Sequence, residues 1–330
     1  MTASITDRFG RPLRYARFSI TDRCNLRCFY CMPEEGIDFV NRKDLLSYEE
    51  ILRLIKILTG LGVEKVRFTG GEPFIRKNFY GFLKRVAKIK ELKNVSITTN
   101  GAVANRHLPL LKELGIASLN LSLDTLDKEK FKKITRRDFF DEAISTYHSS
   151  LDIGLPLSIN MVVMGGINDE DIIPMAMLTV NDPVTVRFIE EMPFNGTGYR
   201  DNPSYFNHTR ILEQLKKKFP SIRPLKRRSG ATASTYIIDG HKGKVGIIAA
   251  WSRTFCGDCN RIRITATGEM RNCLYGEGVL NLKSLIEEGF SDNMIKDAIH
   301  KAYNKKYRNG HESEKQRQES ISESMSSIGG

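Results

Sequence analysis

Cys24-Asn-Leu-Arg-Cys28-Phe-Tyr30-Cys31 sets three thiols at C-x3-C-x2-C spacing. Three such thiolates can hold three corners of an iron-sulfur cubane and leave the fourth iron without a protein ligand, whereas 4Fe-4S electron carriers use four cysteines. The next cysteine in the chain is Cys256, so no fourth thiol is close in sequence. An iron with an open position is a place where a small molecule can be bound and activated. A zinc site or a chance cluster is the alternative, although zinc is usually closed by four ligands from differently spaced pairs.

The cysteine run follows the apolar stretch Tyr15 to Thr21, the first of six strand candidates. The others are Lys65 to Phe68, Val95 to Thr99, Ser118 to Leu123, Leu157 to Val163 and Val184 to Glu191. Helical patterns separate them, which predicts parallel strands joined by crossover helices. The first helix is signalled by a capping box, Ser47-Tyr-Glu-Glu50, ahead of an apolar face of Ile51, Leu54, Ile55 and Leu58. Further helices are expected from near Asn78, Asn105, Asp127, Asp138 and Asp169. The expected fold class is α/β, a partial (β/α)6 barrel with a smaller C-terminal region. In such sheets ligands bind at the carboxyl ends of the strands. The distinctive polar clusters all fall there: the cysteine loop, Thr69-Gly70-Gly71-Glu72-Pro73, Thr98-Thr99-Asn100-Gly101 and Ser122-Leu-Asp124.

Beyond Met192 the character changes. Residues 193–208 are rich in Asn, Gly, Pro and Tyr, and a helix near Thr209 to Phe219 and strands around Thr235 to Ile238 and Lys244 to Ala249 precede a second triad, Cys256, Cys259 and Cys273. All six cysteines are thus used in two incomplete sets of three. No histidine lies between His241 and His300, so a zinc site here would need a distant fourth ligand. We divide the chain into residues 1–192, the partial barrel with an N-terminal extension, residues 193–308, a region carrying the second triad and expected to cover the barrel mouth, and residues 309–330, a polar tail expected to be flexible.

The 330 residues carry 51 Lys and Arg against 39 Asp and Glu, a net charge of +12 that admits a polyanionic ligand. No G-x4-G-K-[ST] loop is present, so a P-loop nucleotide site is unsupported, and basic stripes interleaved with aromatics, as in RNA binders, are not apparent. The polar stretch Met1 to Arg14 lacks the apolar core of a secretory signal and no apolar run approaches a membrane span. Together with free thiols this predicts a cytoplasmic, reducing location, with neither nucleic acid nor membrane as partner.

The first triad, with Tyr30 just before its third cysteine, resembles the radical S-adenosylmethionine (SAM) enzymes. With the second triad enclosing Cys259-Asn-Arg261-Ile-Arg263-Ile, and with the terminal Gly329-Gly330, the chain resembles the molybdenum cofactor biosynthesis protein A family of GTP cyclases from Arg14 to its end. The resemblance implies two 4Fe-4S clusters, on Cys24, Cys28 and Cys31 and on Cys256, Cys259 and Cys273, with SAM on the open iron of the first and GTP on that of the second. It implies SAM contacts at Tyr30, Gly71, Ser122 and Met192, and GTP contacts at Arg17, Arg67, Thr98, Arg261 and Arg263. Arginine suits phosphate through its planar, bidentate fork. Gly329 and Gly330 would enter the active site beside the catalytic Arg261 and Arg263. The implied reaction takes hydrogen from ribose C3' and closes C3' onto guanine C8, giving (8S)-3',8-cyclo-7,8-dihydroguanosine 5'-triphosphate, the first step of molybdenum cofactor synthesis. A low-potential donor of flavodoxin or ferredoxin type and the downstream cyclic pyranopterin monophosphate synthase are the implied partners of a monomer or homodimer. Ser158 departs from the family, which commonly has a triphosphate-binding lysine there. Competing expectations are a radical SAM peptide maturase, whose C-terminal region usually has more cysteines, and a non-catalytic iron-sulfur or zinc module.

Overall fold

A computed structural model describes residues 4–192, 194, 205–317 and 323–329. Six parallel strands run in sequence order across a sheet: β1 (Tyr15–Ser19), β2 (Lys65–Thr69), β3 (Asn94–Thr99), β4 (Ser118–Ser122), β5 (Leu157–Val163) and β6 (Thr185–Glu190). Between them lie α1 (Tyr48–Gly60), α2 (Phe79–Val86), α3 (Leu108–Glu113), α4 (Lys128–Thr135), α5 (Phe140–Asp152) and α6 (Ile172–Asn181). The capping box forms as expected: the Glu50 amide donates to Ser47 Oγ at 3.1 Å and the Ser47 amide to Glu50 Oε2 at 2.6 Å. All six strand candidates are present, each within two residues of its expected bounds.

The C-terminal half continues the sheet at both edges. After α7 (His208–Lys218) come β7 (Arg223–Pro224), β8 (Ser234–Ile237) and β9 (Lys244–Ile248), of which β9 pairs parallel with β6. The chain then crosses to the opposite edge, where β10 (Arg261–Ile264) pairs parallel with β1, followed by antiparallel β11 (Glu269–Arg271) and β12 (Leu280–Asn281). The order is β12-β11-β10-β1-β2-β3-β4-β5-β6-β9-β8-β7, a curled sheet that does not close. The strands of the C-terminal region flank the barrel within the same sheet. Helices α8 (Leu282–Glu287), α9 (Asp292–Asn304), α10 (Gly310–Lys315) and α11 (Met325–Ile328) complete the described chain.

Strands buried in a parallel sheet are usually apolar on both faces. Here the outer face is apolar, with Ala16, Phe18, Val66, Phe68, Ile97, Leu119, Ile159, Phe188 and Ile262 fully buried, whereas the inner face carries Arg17, Arg67, Ser96, Asn120, Asn160, Arg187 and Arg263. That polar lining has no role in packing against helices. It surrounds a cavity of about 820 Å³. No described helix is long and apolar enough to cross a membrane.

Candidate active site

Both cysteine triads border this one cavity. The first lies in the loop after β1. Its shape is fixed by the Cys31 and Met32 amides donating to the Cys28 carbonyl at 2.9 and 3.0 Å, and by the Arg27 and Phe29 amides donating to carbonyls at the end of α4. Burial pushes the Cys24 thiol up to about 11 and the Cys31 thiol up to about 12, and Cys28 also well above its ordinary range, with Asp124 and the other two cysteines adding to the effect there. Three partly buried sulfurs that repel one another's charge suit a multivalent cationic centre. Among the described residues no three Cys, His, Asp or Glu side chains converge as the ligands of one metal ion would. The donor set fits iron held at three corners of a cubane, whose ligands stand farther apart than those of a single tetrahedral ion.

The Gly70-Gly71-Glu72 loop is pressed onto the start of the cysteine loop. A Cβ on Gly71 would come 1.9 Å from the Arg23 carbonyl oxygen, and one on Gly70, whose φ is +135°, 2.3 Å from that of Thr21. Only glycine fits there. Glu72 is fully buried; its carboxylate accepts from the Phe74 amide at 3.1 Å, Thr99 Oγ1 at 2.9 Å and the Asn100 amide at 2.7 Å, and burial pushes it up to about 7. Asn100 Nδ2 lies 3.6 Å from Cys24 Sγ, so this loop ties the β2 and β3 ends to the first triad. Tyr30 donates its hydroxyl to Asp124 Oδ2 at 2.8 Å, and Asp124 Oδ1 accepts from the Val162 amide at 2.8 Å. Burial raises Asp124 to about 6.

The second triad sits beside cations. Burial pushes Cys259 up, but Lys306 and Arg261 outweigh it and hold the thiol down at about 6; burial raises Cys256. Lys306 is itself buried, its ammonium donating to the carbonyls of Arg261, at 2.8 Å, and Asn272.

Arg17, Arg67, Thr98, Ser122, Tyr30, Gly71, Met192, Arg261 and Arg263 all line the same cavity. Three further groups there escaped the sequence reading: Tyr15, Lys65 and Arg187. β1 and β2 are in register, Tyr15 with Lys65 and Arg17 with Arg67, and β10 sets Arg263 beside Arg17. Arg187 donates to Asn120 Oδ1 at 2.7 Å, Arg67 to Ser96 Oγ at 3.1 Å and Arg17 to the Tyr15 hydroxyl at 3.0 Å. Burial and the neighbouring guanidiniums hold Arg67 down at about 10 and Arg263 at about 9. Burial opposes ionisation of Tyr15, yet Arg17, Arg67 and Lys65 together bring its phenol down to about 7. None of these six cations is ion-paired with a carboxylate among the described residues. The inward alternation of β2 and β6 could have identified Lys65 and Arg187; nothing in the sequence marks β10 as the neighbour of β1. Ser158 faces the same side, below Asn160, but is not on the cavity surface.

The end of the chain docks here too. Ser324 Oγ donates to the Cys31 carbonyl at 2.7 Å and the Met325 amide to the same oxygen at 3.2 Å. Arg271 donates bidentately to Glu323 at 2.8 and 2.6 Å, and Arg317 adds a contact at 3.2 Å. Ile328 is buried against Phe194 and Tyr275. The Gly329 carbonyl accepts from Arg263 Nη1, with φ of +74° and the glycine's missing Cβ directed at Ser19. Serine-rich composition predicts mobility, but these serines cap and bond locally while one apolar residue and one acidic residue anchor the segment. Gly330 lies outside the described residues.

The description Radical SAM superfamily matches residues 18–178 and Molybdenum Cofactor Synthesis C matches residues 184–312. The protein named GTP 3',8-cyclase, mitochondrial, of Arabidopsis thaliana is 39% identical over 303 residues, covering 92% of this chain and 77% of that one. Molybdenum cofactor biosynthesis protein 1 of Dictyostelium discoideum is 40% identical over 306 residues, 92% of this chain; the chain spans about half of that relative, 48% of its length. Among solved structures, Streptococcus suis SuiB bound to precursor peptide SuiA shares the fold, with a TM-score of 0.63 at 14% identity over 91% of this chain and 67% of that chain.

Proposed function

Since the chain belongs to the GTP 3',8-cyclase family of radical SAM enzymes, we propose that it converts GTP to (8S)-3',8-cyclo-7,8-dihydroguanosine 5'-triphosphate, using two 4Fe-4S clusters and SAM. The observation that carries this reading is the group of six cations without carboxylate partners, Arg17, Lys65, Arg67, Arg187, Arg261 and Arg263, enclosed in the cavity that both triads border. Six positive charges gathered around one cavity repel one another, and burial together with the neighbouring arginines holds Arg67 and Arg263 down. A triphosphate relieves that repulsion.

In this reading Cys24, Cys28 and Cys31 hold the first cluster, and Cys256, Cys259 and Cys273 the second. When bound, the first cluster and SAM supply one-electron cleavage of the sulfonium and hence hydrogen abstraction from carbon. The protein's part is placement. Tyr30, Gly71, Ser122 and Met192, which line the cavity, are the proposed SAM contacts, and Asp124 fixes the Tyr30 hydroxyl. Thr98 and the arginines hold the nucleotide with its ribose toward that wall. Arg261 spans the second triad and the phosphate-binding face, and Arg263, anchored on Gly329, closes the cavity from the tail side. Residues 1–192 thus supply the first triad, the SAM contacts and much of the GTP-binding lining, residues 193–308 the second triad with Arg261 and Arg263, and residues 309–330 the docked tail.

The reducing compartment that six free thiols need is consistent with the cytoplasm; a low-potential flavodoxin- or ferredoxin-type donor and a downstream cyclic pyranopterin monophosphate synthase complete the proposed pathway context. The test is anaerobic reconstitution with iron and sulfide, then SAM, dithionite and GTP. Stoichiometric 5'-deoxyadenosine and cyclised nucleotide are expected; 5'-deoxyadenosine that appears only with a peptide would favour a maturase instead.

A further inference from the structure

The sheet does not close, and one stretch of chain crosses between its two ends. Residues 225–233, the link between β7 and β8 at one edge, reach the loop that carries Cys256 and Cys259 ahead of β10, near the other edge. Arg227 Nη2 donates to Asp258 Oδ1 at 2.6 Å, the Gly230 amide to Asp258 Oδ2 at 2.9 Å, and Arg261 Nη2 to the Gly230 carbonyl at 3.5 Å. A Cβ on Gly230, whose φ is +73°, would stand 2.3 Å from Asn260 Nδ2, so this approach needs glycine. Every residue of the strap borders the cavity. Lys226 and Arg228 are exposed to solvent as well, which puts them at a mouth of the cavity. Unlike Arg227, neither forms an ion pair or a side-chain hydrogen bond among the described residues. The acids beside them are already matched: Asp258 by Arg227, and Glu64, on the cavity surface, by Arg14 at 2.7 Å. Residues 216–228, which lead into the strap, carry seven Lys and Arg and no Asp or Glu.

We propose that the nucleoside triphosphate enters the cavity beside this strap, and that Lys226 and Arg228 draw it in. The inference rests on the cavity being the GTP site. Charges in water act over about 8 Å at physiological ionic strength, so free cations at the opening meet an arriving polyanion before the buried arginines do. Such steering speeds encounter. Because both side chains stay in water, they do little to hold the nucleotide once it is inside; Arg17, Arg67, Arg261 and Arg263 do that. Arg227 has the separate task of fastening the strap to the second-triad loop through Asp258. The outer cations therefore govern how fast GTP arrives, and the inner ones how long it stays.

The test uses the reconstituted holoenzyme under anaerobic conditions. Calorimetry gives Kd for GTP, and stopped-flow competition against GTP carrying a fluorophore on its ribose gives the rates. Lys226→Gln with Arg228→Gln should slow association about fivefold at low ionic strength and raise Kd by the same factor. The dissociation rate, SAM affinity and binding of uncharged guanosine should not change, and at high salt the variant should match wild type. Lys226→Arg with Arg228→Lys should behave as wild type. Lys132→Gln with Lys133→Gln, an equal loss of charge on the exposed side of α4 and off the cavity surface, should leave association untouched. Unchanged association in the strap variant, or equal slowing in the α4 variant, would overturn the entry route. Faster dissociation at an unchanged association rate would make the two residues contacts of bound nucleotide, and would overturn it equally. If the double strap variant fails to fold, Lys226→Gln and Arg228→Gln singly decide, each slowing association about twofold. A wild type that binds no GTP would instead sink the cyclase reading itself, and this inference with it.

Discussion

Around the first cysteine triad burial and the buried acids Asp124 and Glu72 push the thiols up, outweighing Arg27 near Cys24; around Cys259 Lys306 and Arg261 hold the thiol down against its burial. The same residue type, in two triads, is therefore prepared for opposite charges. In the proposed reading a sulfonium with an amino group brings positive charge to the first site, and a triphosphate brings negative charge near the second. Surrounding charge is also one of the levers that set the reduction potential of an iron-sulfur centre. Acidic surroundings favour the oxidised form, and so a strong reductant, at the first site. Cationic surroundings work the other way at the second, which fits a centre that holds substrate rather than one that discharges electrons.

The sharpest way to break this comparison is to remove one thiolate from each side. Cys28→Ser should abolish SAM cleavage, while Cys259→Ser should retain uncoupled cleavage and lose cyclisation. Iron should fall from about eight per chain toward half in each. Stoichiometric zinc in an active wild-type enzyme would remove the second cluster from the account.

Next in size is the loss of the tail that bridges the two sites. Deleting Gly329 and Gly330 should leave both clusters and SAM cleavage largely in place yet nearly stop cyclisation, because Arg263 loses its carbonyl partner. Product yields from full-length and truncated protein decide it, and equal cyclised yields would make the docked tail irrelevant to turnover.

Changing Arg261 and Arg263 together to Ala should raise the GTP dissociation constant by about 100-fold or more, at 1.5 to 3 kcal/mol per charged hydrogen bond, with little change for SAM. Comparable losses for both ligands would erase the electrostatic distinction between the two ends of the cavity.

The smallest effect is a proton. Tyr15 is held down at about 7 by Arg17, Arg67 and Lys65, so at pH 8 its phenol is mostly ionised in the free enzyme. A polyanion that neutralises those cations raises it toward its ordinary value, so GTP binding takes up a fraction of a proton at pH 8 and less at pH 6, where the phenol is already protonated. Calorimetry in two buffers of different ionisation enthalpy reads this directly. Proton release on binding would contradict the described cluster.

The six parallel strands and the rim of polar loops were legible because each depends on local pattern: alternating apolar runs, a capping box, glycines at turns. Both triads were legible because spacing alone carries their chemistry. The neighbours of β1 and β6 were not, since β10 and β9 are four- and five-residue runs whose pairing is decided by partners far away in the chain. Tyr15, Lys65 and Arg187 lay on strands that had been identified, and a strict inward alternation would have found them. For Gly71, the resemblance implied contact with SAM. The Arg23 carbonyl explains the need for glycine independently, through contact with the cysteine loop.

The pairing of Tyr15 with Arg261 bears on how the protein is made. Contacts between distant parts of a chain form late and slow folding, and here β1 has no partner on one side until β10 has been made. During that interval its backbone is an open edge, a template for association with other chains, and the first cysteine loop follows directly from it. Iron delivered during synthesis would meet a half-built site. Cluster insertion therefore belongs after β10 has joined β1, and protection of the unpaired amino-terminal half should limit yield more than the stability of the finished fold.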